Sequence, residues 1–274
     1  MGRCCRTPGK KMWLIRNSFI IGDYIMINYI SFGGGVQSTA MVLMALAGEI
    51  EKPDMVVFAD TGTEMPETYE TVSKIGKLCN KNNLEFVVVK NYSEKVKGMS
   101  LIDWYSSKKM VPMVGIKWCT SKFKIEPIRR YVKTRVDKTK PKPWMCAWIG
   151  ITSDESKRAR HLSDVKFQIV KYPLLKISRQ ECINYIEKNY PNLKVSKSGC
   201  YCCPYANKKH WLNLKKNHNS LFQKSLQLEK NAHSDYGLYG GKSIEYFNYS
   251  HTLEDFGFEN LPETNCDPAG ACFT

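Results

Sequence analysis

The stretch Ser31-Phe32-Gly33-Gly34-Gly35-Val36-Gln37-Ser38-Thr39 separates two segments of different character. Before it, Ile25-Met26-Ile27-Asn28-Tyr29-Ile30 is apolar and β-branched enough to read as a buried strand. After it, residues 40–47 are a run of good helix formers, from Ala40 through Leu43 to Ala47. Three glycines, a Ser and a Thr therefore stand where a strand turns into a helix. Glycines there let backbone N–H groups approach a ligand with no Cβ in the way. The helix N-terminus adds unpaired donors and a partial positive charge. Ser38 and Thr39 bring hydroxyls to the same corner. The chemistry suits phosphate or sulfate, although a glycine-rich βα turn of any doubly wound fold looks similar. The loop has no Gly-Lys-Ser/Thr and does not match G-x-G-x-x-G after the strand.

Composition narrows the classes. The chain has 274 residues, enough for one large domain or one with an appendage. No apolar run reaches the ~18 residues of a membrane helix, so no membrane partner is expected. Forty-one Lys and Arg against 26 acids give a net charge of +15, which favours a polyanionic partner. Eleven cysteines with no recognisable secretory signal suggest a reducing compartment and a metal or redox site. Residues 1–25 read as a basic N-terminal extension lacking the apolar region and cleavage site of a signal peptide. A cytoplasmic location is the expectation.

Further strands are expected at Asp54 to Ala59, Leu84 to Val89 and Trp144 to Ile151, after which Phe167 to Val170 and Tyr172 to Leu175 close this half. The second ends in Asp60-Thr61-Gly62-Thr63-Glu64-Met65-Pro66-Glu67, with Pro66 suited to the first turn of a helix. An acidic residue at a strand's C-terminal end is where α/β folds place ligand contacts. Between Lys108 and Lys142 lie twelve basic residues against Glu126 and Asp137. Pro127 opens a helix there with Ile128 and Val132 inward and Arg129 and Arg130 outward. Ser178 to Glu181 is a capping box. Residues 206–232 read as one long helix with interleaved Lys, Trp211, Leu214 and Phe222. Cys200 and Cys203 form C-x-x-C, the spacing that points two thiolates at one metal or cluster. Cys119, and either Cys272 or Cys266 near the terminus, complete a four-thiolate set, with Cys272 preferred; packed thiols are the plainer reading. Thiolates suit an iron–sulfur cluster and Zn2+ alike.

These segments resemble the phosphoadenosine phosphosulfate (PAPS) reductase-like family of the adenine nucleotide α-hydrolase-like, PP-loop superfamily. Gly34, Gly35 and Ser38 match its S-G-G-x-D-S loop, while Gly33 replaces the first Ser and Gln37 the Asp. The D-T-G-x-E-x-P-E-T-Y segment from Asp60, K-W-C-T-x-x-x-K-I-x-P-I around Cys119, and Gly150 to Arg158 follow in the family's order. The resemblance implies a Rossmann-like (HUP-type) α/β fold, a parallel sheet with helices on both faces. The nucleotide-binding part would span 26–175, and 176–274 would form a smaller, mainly helical, cysteine-containing region. It implies ATP or a related adenine nucleotide, with Mg2+, held by Ser31, Gly33, Gly34, Gly35, Gln37, Ser38, Thr39, Asp60, Thr61, Gly62, Glu67, Thr152 and Asp154. Lys122, Lys124 and Arg158 would neutralise charge developing on the phosphates. It also implies a cubane cluster, with zinc as the alternative.

Three activities follow as expectations. The first is adenylation of a substrate with release of pyrophosphate, coupled to sulfur transfer from a donor protein onto tRNA or DNA. The second is a PAPS-type reductase releasing sulfite, although the C-terminal E-C-G-L/I-H motif of that chemistry is missing. The third is a nucleotide- or nucleic-acid-binding subunit without turnover, which Gln37 in place of Asp favours.

Overall fold

A computed structural model describes residues 26–116, 118–159, 165–233 and 236–245, together with a two-stranded pair, Leu14–Ile15 (β1) and Ser18–Phe19 (β2). The main sheet has five strands: β3 (Ile27–Phe32), β4 (Met55–Ala59), β5 (Glu85–Val89), β6 (Met145–Trp148) and β7 (Gln168–Lys171). All pairings are parallel and the order is β5-β4-β3-β6-β7. The order reverses beside β3, so a crevice opens at the C-terminal ends of β3 and β6, where such sheets bind ligands. Parallel strands need crossovers, and the expected alternation of strand and helix supplies them.

β3 runs two residues further than its apolar pattern suggests. Ser31 pairs with Val57 and Phe32 with Phe58, and the turn starts at Gly33. β6 is shorter than expected, because Ile149 to Ile151 leave the sheet at the crevice. Helix α1 (Val36–Ala47) is buried along most of its length, which explains its lack of a polar face. One side of the sheet packs on α1, α2 (Pro66–Lys81) and α5 (Arg179–Asn189). The other side packs on α4 (Glu126–Val132) through Ile128 and Val132. A second apolar core gathers α3 (Leu101–Ser107), Phe123, Tyr201 and Cys202 with α6 (Lys208–Asn217) and α7 (Asn219–Lys230). Cys79, Cys146 and Cys182 are buried in the sheet-side core, and burial pushes the thiols of Cys79 and Cys146 up to about 12. No described helix is long and apolar enough to cross a membrane.

The single helix expected over 206–232 is two. His218 takes φ −136°, ψ 49°, outside the helical region, and its N–H closes α6 on the Leu214 carbonyl. The His218 carbonyl then accepts from Leu221 and Phe222 to start α7. Asn217-His218-Asn219 has low helix propensity, and the His218 Nε2 lies 2.9 Å from Glu67 Oε1, which fixes the corner against α2. The amphipathic spacing continues across the break, so periodicity alone does not reveal it.

Gly34 has φ +72°, and a Cβ there would stand 2.8 Å from Thr68 Cγ2 of α2. Its glycine is thus required by the packing of the fold, before any ligand is considered. Gly34→Ala is expected to cost about 1–3 kcal/mol of stability from the strained backbone. Thr68→Ser in the same chain should recover the part due to the clash, read by denaturant unfolding. An unchanged midpoint for Gly34→Ala would contradict this account.

Candidate functional site

The turn after β3 delivers the first part of the site. Gly35 is the N-cap of α1 and no side chain caps the helix, so its leading N–H groups lack a side-chain acceptor. Ser38 does not supply one. Its hydroxyl accepts from Gly33 N–H at 3.3 Å and donates to the Gly35 carbonyl at 3.1 Å, bracing the turn from inside. Thr39 is buried, with Oγ1 unpartnered among the described residues. Gly150, just past β6, backs the turn closely: a Cβ there would lie 3.1 Å from Ser38 N.

Beside this helix end is a cavity of about 150 Å³. Gly35 and Gln37 line it from the turn, and Thr61 from the end of β4. Cys119, Thr120 and Lys124 line it from a π-helical segment, Cys119–Ile125, which runs directly into α4. Gly150, Glu155 and Arg158 line it from beyond β6. Arg179, and the segment from Lys197 to Cys203, complete the wall. The wide turn of a π-helix is a device found often at functional sites; here it carries Cys119 and Lys124 to the same cavity.

The buried centre is Glu64, whose side chain is fully shielded from solvent. Its Oε1 is 3.1 Å from Lys124 Nζ, accepts from Thr61 Oγ1 at 3.2 Å and lies 3.5 Å from Cys200 Sγ. Backbone pairing fastens the same place: Met65 N–H donates to the Gly199 carbonyl and Tyr201 N–H to the Thr63 carbonyl. A buried carboxylate needs such partners, so Glu64 ties β4's exit to the C-x-x-C segment. Burial and the neighbouring Glu64 charge push the Cys200 thiol well above its ordinary range, with Lys124 opposing.

Of the residues expected to hold a nucleotide, Gly35, Gln37 and Thr61 line the cavity, as do Lys124 and Arg158 among the expected catalytic cations. Ser31 is a strand residue, and Ser31, Gly33 and Gly34 are not among the residues that line the cavity. Asp60 accepts from Tyr69 Oη, the Gly62 N–H and Lys90. A Cβ on Gly62 would press on Ser100, and Glu67 faces His218. Asp154 accepts from the Arg179 N–H and, at 3.5 Å, from Thr152. Lys122 is outside the wall, its carbonyl accepting from Asn91. Cys119, Cys200 and Cys203 share the cavity; Cys266 and Cys272 lie outside the described residues. Glu64, Arg179, Lys197 and Ser198 were not singled out from sequence. The only local hint was the position of Glu64 within the segment that starts at Asp60.

Three thiols around one cavity offer the soft donor set of an iron–sulfur cluster. Among the described residues no three His, Cys, Asp or Glu side chains form a group that could hold a metal ion. Four thiolates on zinc would have to stand about 3.8 Å apart, given 2.3 Å tetrahedral bonds. A cubane spreads its ligands wider than zinc does.

The fold is a doubly wound α/β sheet with this cavity at its switch point. The model of the phosphoadenosine phosphosulfate reductase domain matches residues 27–197, and the chain belongs to that family. Uncharacterized protein MJ0973 of Methanocaldococcus jannaschii is 28% identical over 73% of this chain and 47% of its own length. Uncharacterized protein MJ0066 of the same organism is 25% identical over 64% of this chain and 35% of its own length. The uncharacterized nin region protein ORF290 of Escherichia phage lambda is 26% identical over 52% of this chain and 53% of its own length. The match thus spans about half or less of these relatives. The solved U34-tRNA thiolase NcsA from Methanococcus maripaludis, with its [4Fe-4S] cluster, is 18% identical, covering 82% of this chain and 73% of its own, at a TM-score of 0.39.

Two outcomes follow from the geometry. Lys124→Met leaves Glu64 buried without its cation, and loss of one partner of a buried pair costs about 3–5 kcal/mol. Denaturant unfolding should show that loss, whereas Arg130→Met, which breaks the exposed Glu126 pair, should barely move the midpoint. The second concerns acid. Burial raises the Asp60 pKa, but bonds from Tyr69, the Gly62 N–H and Lys90 outweigh it, and the carboxyl sits below its ordinary 3.8. The folded-state value is the depressed one, so this stabilisation is present above 3.8 and is lost as pH falls through the folded value. Asp60→Asn should therefore flatten the acid limb of the stability profile; an unaltered limb would refute the assignment.

Proposed function

We propose that the protein binds an adenine nucleotide, ATP first, with its phosphates at the N-terminus of α1, and transfers the adenylyl group to a substrate. The observation that carries this reading is one cavity shared by an uncapped helix end, four cations and three thiols. A substrate oxygen attacks the α-phosphorus, the bond to the β-phosphate oxygen breaks, and pyrophosphate leaves. Lys124 and Arg158 stand in the cavity wall to balance charge developing on the phosphates. Sulfide-level sulfur from a donor protein then attacks the adenylated carbon, the carbon–oxygen bond breaks and AMP leaves, which makes the product a thiolated substrate. Mg2+ enters with the nucleotide, held mostly by phosphate oxygens and water; Gln37 and Glu155 are the side-chain oxygens of the wall nearest in kind. A [4Fe-4S] cluster on Cys119, Cys200 and Cys203 would supply an iron site for sulfur. In this division 26–175 serves the nucleotide, 176–274 supplies most thiols, and 1–25 is an extension.

The acceptor proposed is a tRNA or DNA. Two features support a base-bearing substrate: the net charge of +15, and the apolar rim of the cavity. Ile116 lines the cavity and Trp118, 45% exposed, is set edge-on to Trp104 at 6.3 Å between centroids. An exposed indole held in place is a platform on which a base can stack. The loop bearing Val114 and Ile116 is pinned by its N–H donors to Tyr236 Oη and Tyr205 Oη.

The test is turnover by protein purified without oxygen. ATP with a tRNA or DNA pool should yield AMP and pyrophosphate, and iron and sulfide should be present. Cys200→Ser and Cys203→Ser should lose the iron and the sulfur transfer. Sulfite released from PAPS with a thiol reductant, and no ATP turnover, would replace this reading with the reductase. Binding of nucleotide without any turnover would leave the binding subunit.

A further inference from the structure

Four cations line the cavity: Lys124, Arg158, Arg179 and Lys197. Two of them arrive already balanced. Lys124 is 3.1 Å from Glu64, and Arg158 is 2.7 Å from Glu155. Neither Arg179 nor Lys197 makes a side-chain ion pair with a carboxylate among the described residues, although Asp154 accepts from the Arg179 backbone N–H. A cation paired with a carboxylate presents a weak, dipolar field to a ligand, whereas an unbalanced one presents its whole charge. The cavity's net attraction for an anion therefore comes from the residues after β7, together with the end of α1.

These two residues are also held in place. Arg179 is the first residue of α5, and its N–H is bonded to the carboxylate of Asp154. Lys197 lies on a short strap fixed at both ends. On one side Val195 packs on the sheet-side core; on the other, Gly199 accepts from Met65 N–H at 3.0 Å. Between them Ser198 sits on the N-cap of α1, so close that a Cβ on Gly35 would come within 2.7 Å of Ser198 Oγ. The strap thus brings an ammonium and a hydroxyl beside the helix end whose leading N–H groups have no side-chain cap.

We propose that Arg179 and Lys197 form a subsite for the distal phosphates of a nucleoside polyphosphate. The C-terminal half would then select phosphate-chain length, favouring a triphosphate over a monophosphate. This rests on the reading that a nucleotide's phosphates lie at α1. A single phosphate is satisfied by the helix N-terminus alone, while a longer chain engages cations on the facing wall as well. Arg179 offers a planar fork for two phosphate oxygens, and Lys197 a compact point charge. Recognition of this kind is read in affinity, because charge-assisted bonds to phosphate are lost one by one.

The experiment is calorimetric titration of the full chain, handled without oxygen, with AMP, ADP, ATP and inorganic pyrophosphate. The variants are Arg179→Gln, Lys197→Gln, the double variant, and Arg179→Lys. Each Gln variant should weaken ATP about tenfold and the double about a hundredfold, from the usual strength of charged hydrogen bonds. AMP should stay within about twofold of wild type throughout, and Arg179→Lys should fall between wild type and Arg179→Gln for ATP. Melting curves of Lys197→Gln and Arg179→Lys should match wild type, so a change in affinity is not a change in folding. ATP affinity unchanged in the double variant, or ATP and AMP weakened alike, overturns the subsite while leaving the nucleotide reading intact. Wild type that binds pyrophosphate but no nucleotide, with pyrophosphate lost in the double variant, keeps the subsite and removes the nucleotide reading. Wild type that binds neither ATP nor pyrophosphate overturns both.

Discussion

Three separate segments have to touch the turn that ends β3. Helix α2 reaches it at Gly34 through Thr68, the strap before the C-x-x-C reaches it at Gly35 through Ser198, and the exit of β6 reaches it through Gly150. At each of these contacts one partner is glycine, and a Cβ would come within 2.7–3.1 Å of the neighbour. Gly34 is held to glycine by its φ of +72° and Gly150 by backbone atoms of the turn, whereas at Gly35 the close atom is the Ser198 hydroxyl, which can turn aside. The cavity exists because these segments meet at the turn. A glycine-rich loop is usually explained by what it lets a ligand approach; here the same residues first let the protein approach itself.

The second constraint is the charge at Glu64. A shielded carboxylate is tolerated only with partners, and its partners come from three places in the chain: Thr61, Lys124 and Cys200. The contacts to Glu64 Oε1 therefore tie together β4's exit, the π-helical segment and the cysteine segment, while Oε2 is buried without a partner among the described residues. Cys119 and Cys200 share a wall because the π-helical segment that begins with Cys119 also carries Lys124. Fold stability and thiol geometry are in this way tied to the same pair.

The parts of the molecule legible in the sequence are those written in local pattern. The apolar runs mark four of the five strands, β3 to β6, the helix formers after Gly35 mark α1, and Ser178 with Glu181 makes the reciprocal capping box that opens α5. What escaped depends on partners far away in the chain. Ser38 reads as an available hydroxyl until its bonds to Gly33 and Gly35 are seen. The break at His218 reads as continuous helix because Leu214 and Phe222 keep their spacing across it. Arg179 and Lys197 look like two surface cations among many, since nothing local says which cations will find a carboxylate. Glu64 looks like one more acid in an acidic segment, though its side chain is fully shielded.

The basic run from Lys108 to Lys142 shows the same limit from the other side. Its helix reads as a cationic face open to a polyanion, yet its charges are largely engaged. Arg129 donates to Gln168 at 3.1 Å, Arg130 pairs with Glu126, and Arg135 bonds both oxygens of Glu85. Gln168 and Glu85 begin β7 and β5, so α4 carries these cations toward the N-terminal edge of the sheet, away from the cavity. Lys133 lies 3.7 Å from the ring centroid of Phe167, again at that edge. A polyanion drawn in by overall charge would thus not find a wholly open cationic face along α4. Long-range attraction follows net charge, but where a substrate stops is decided by which charges remain unbalanced at close range.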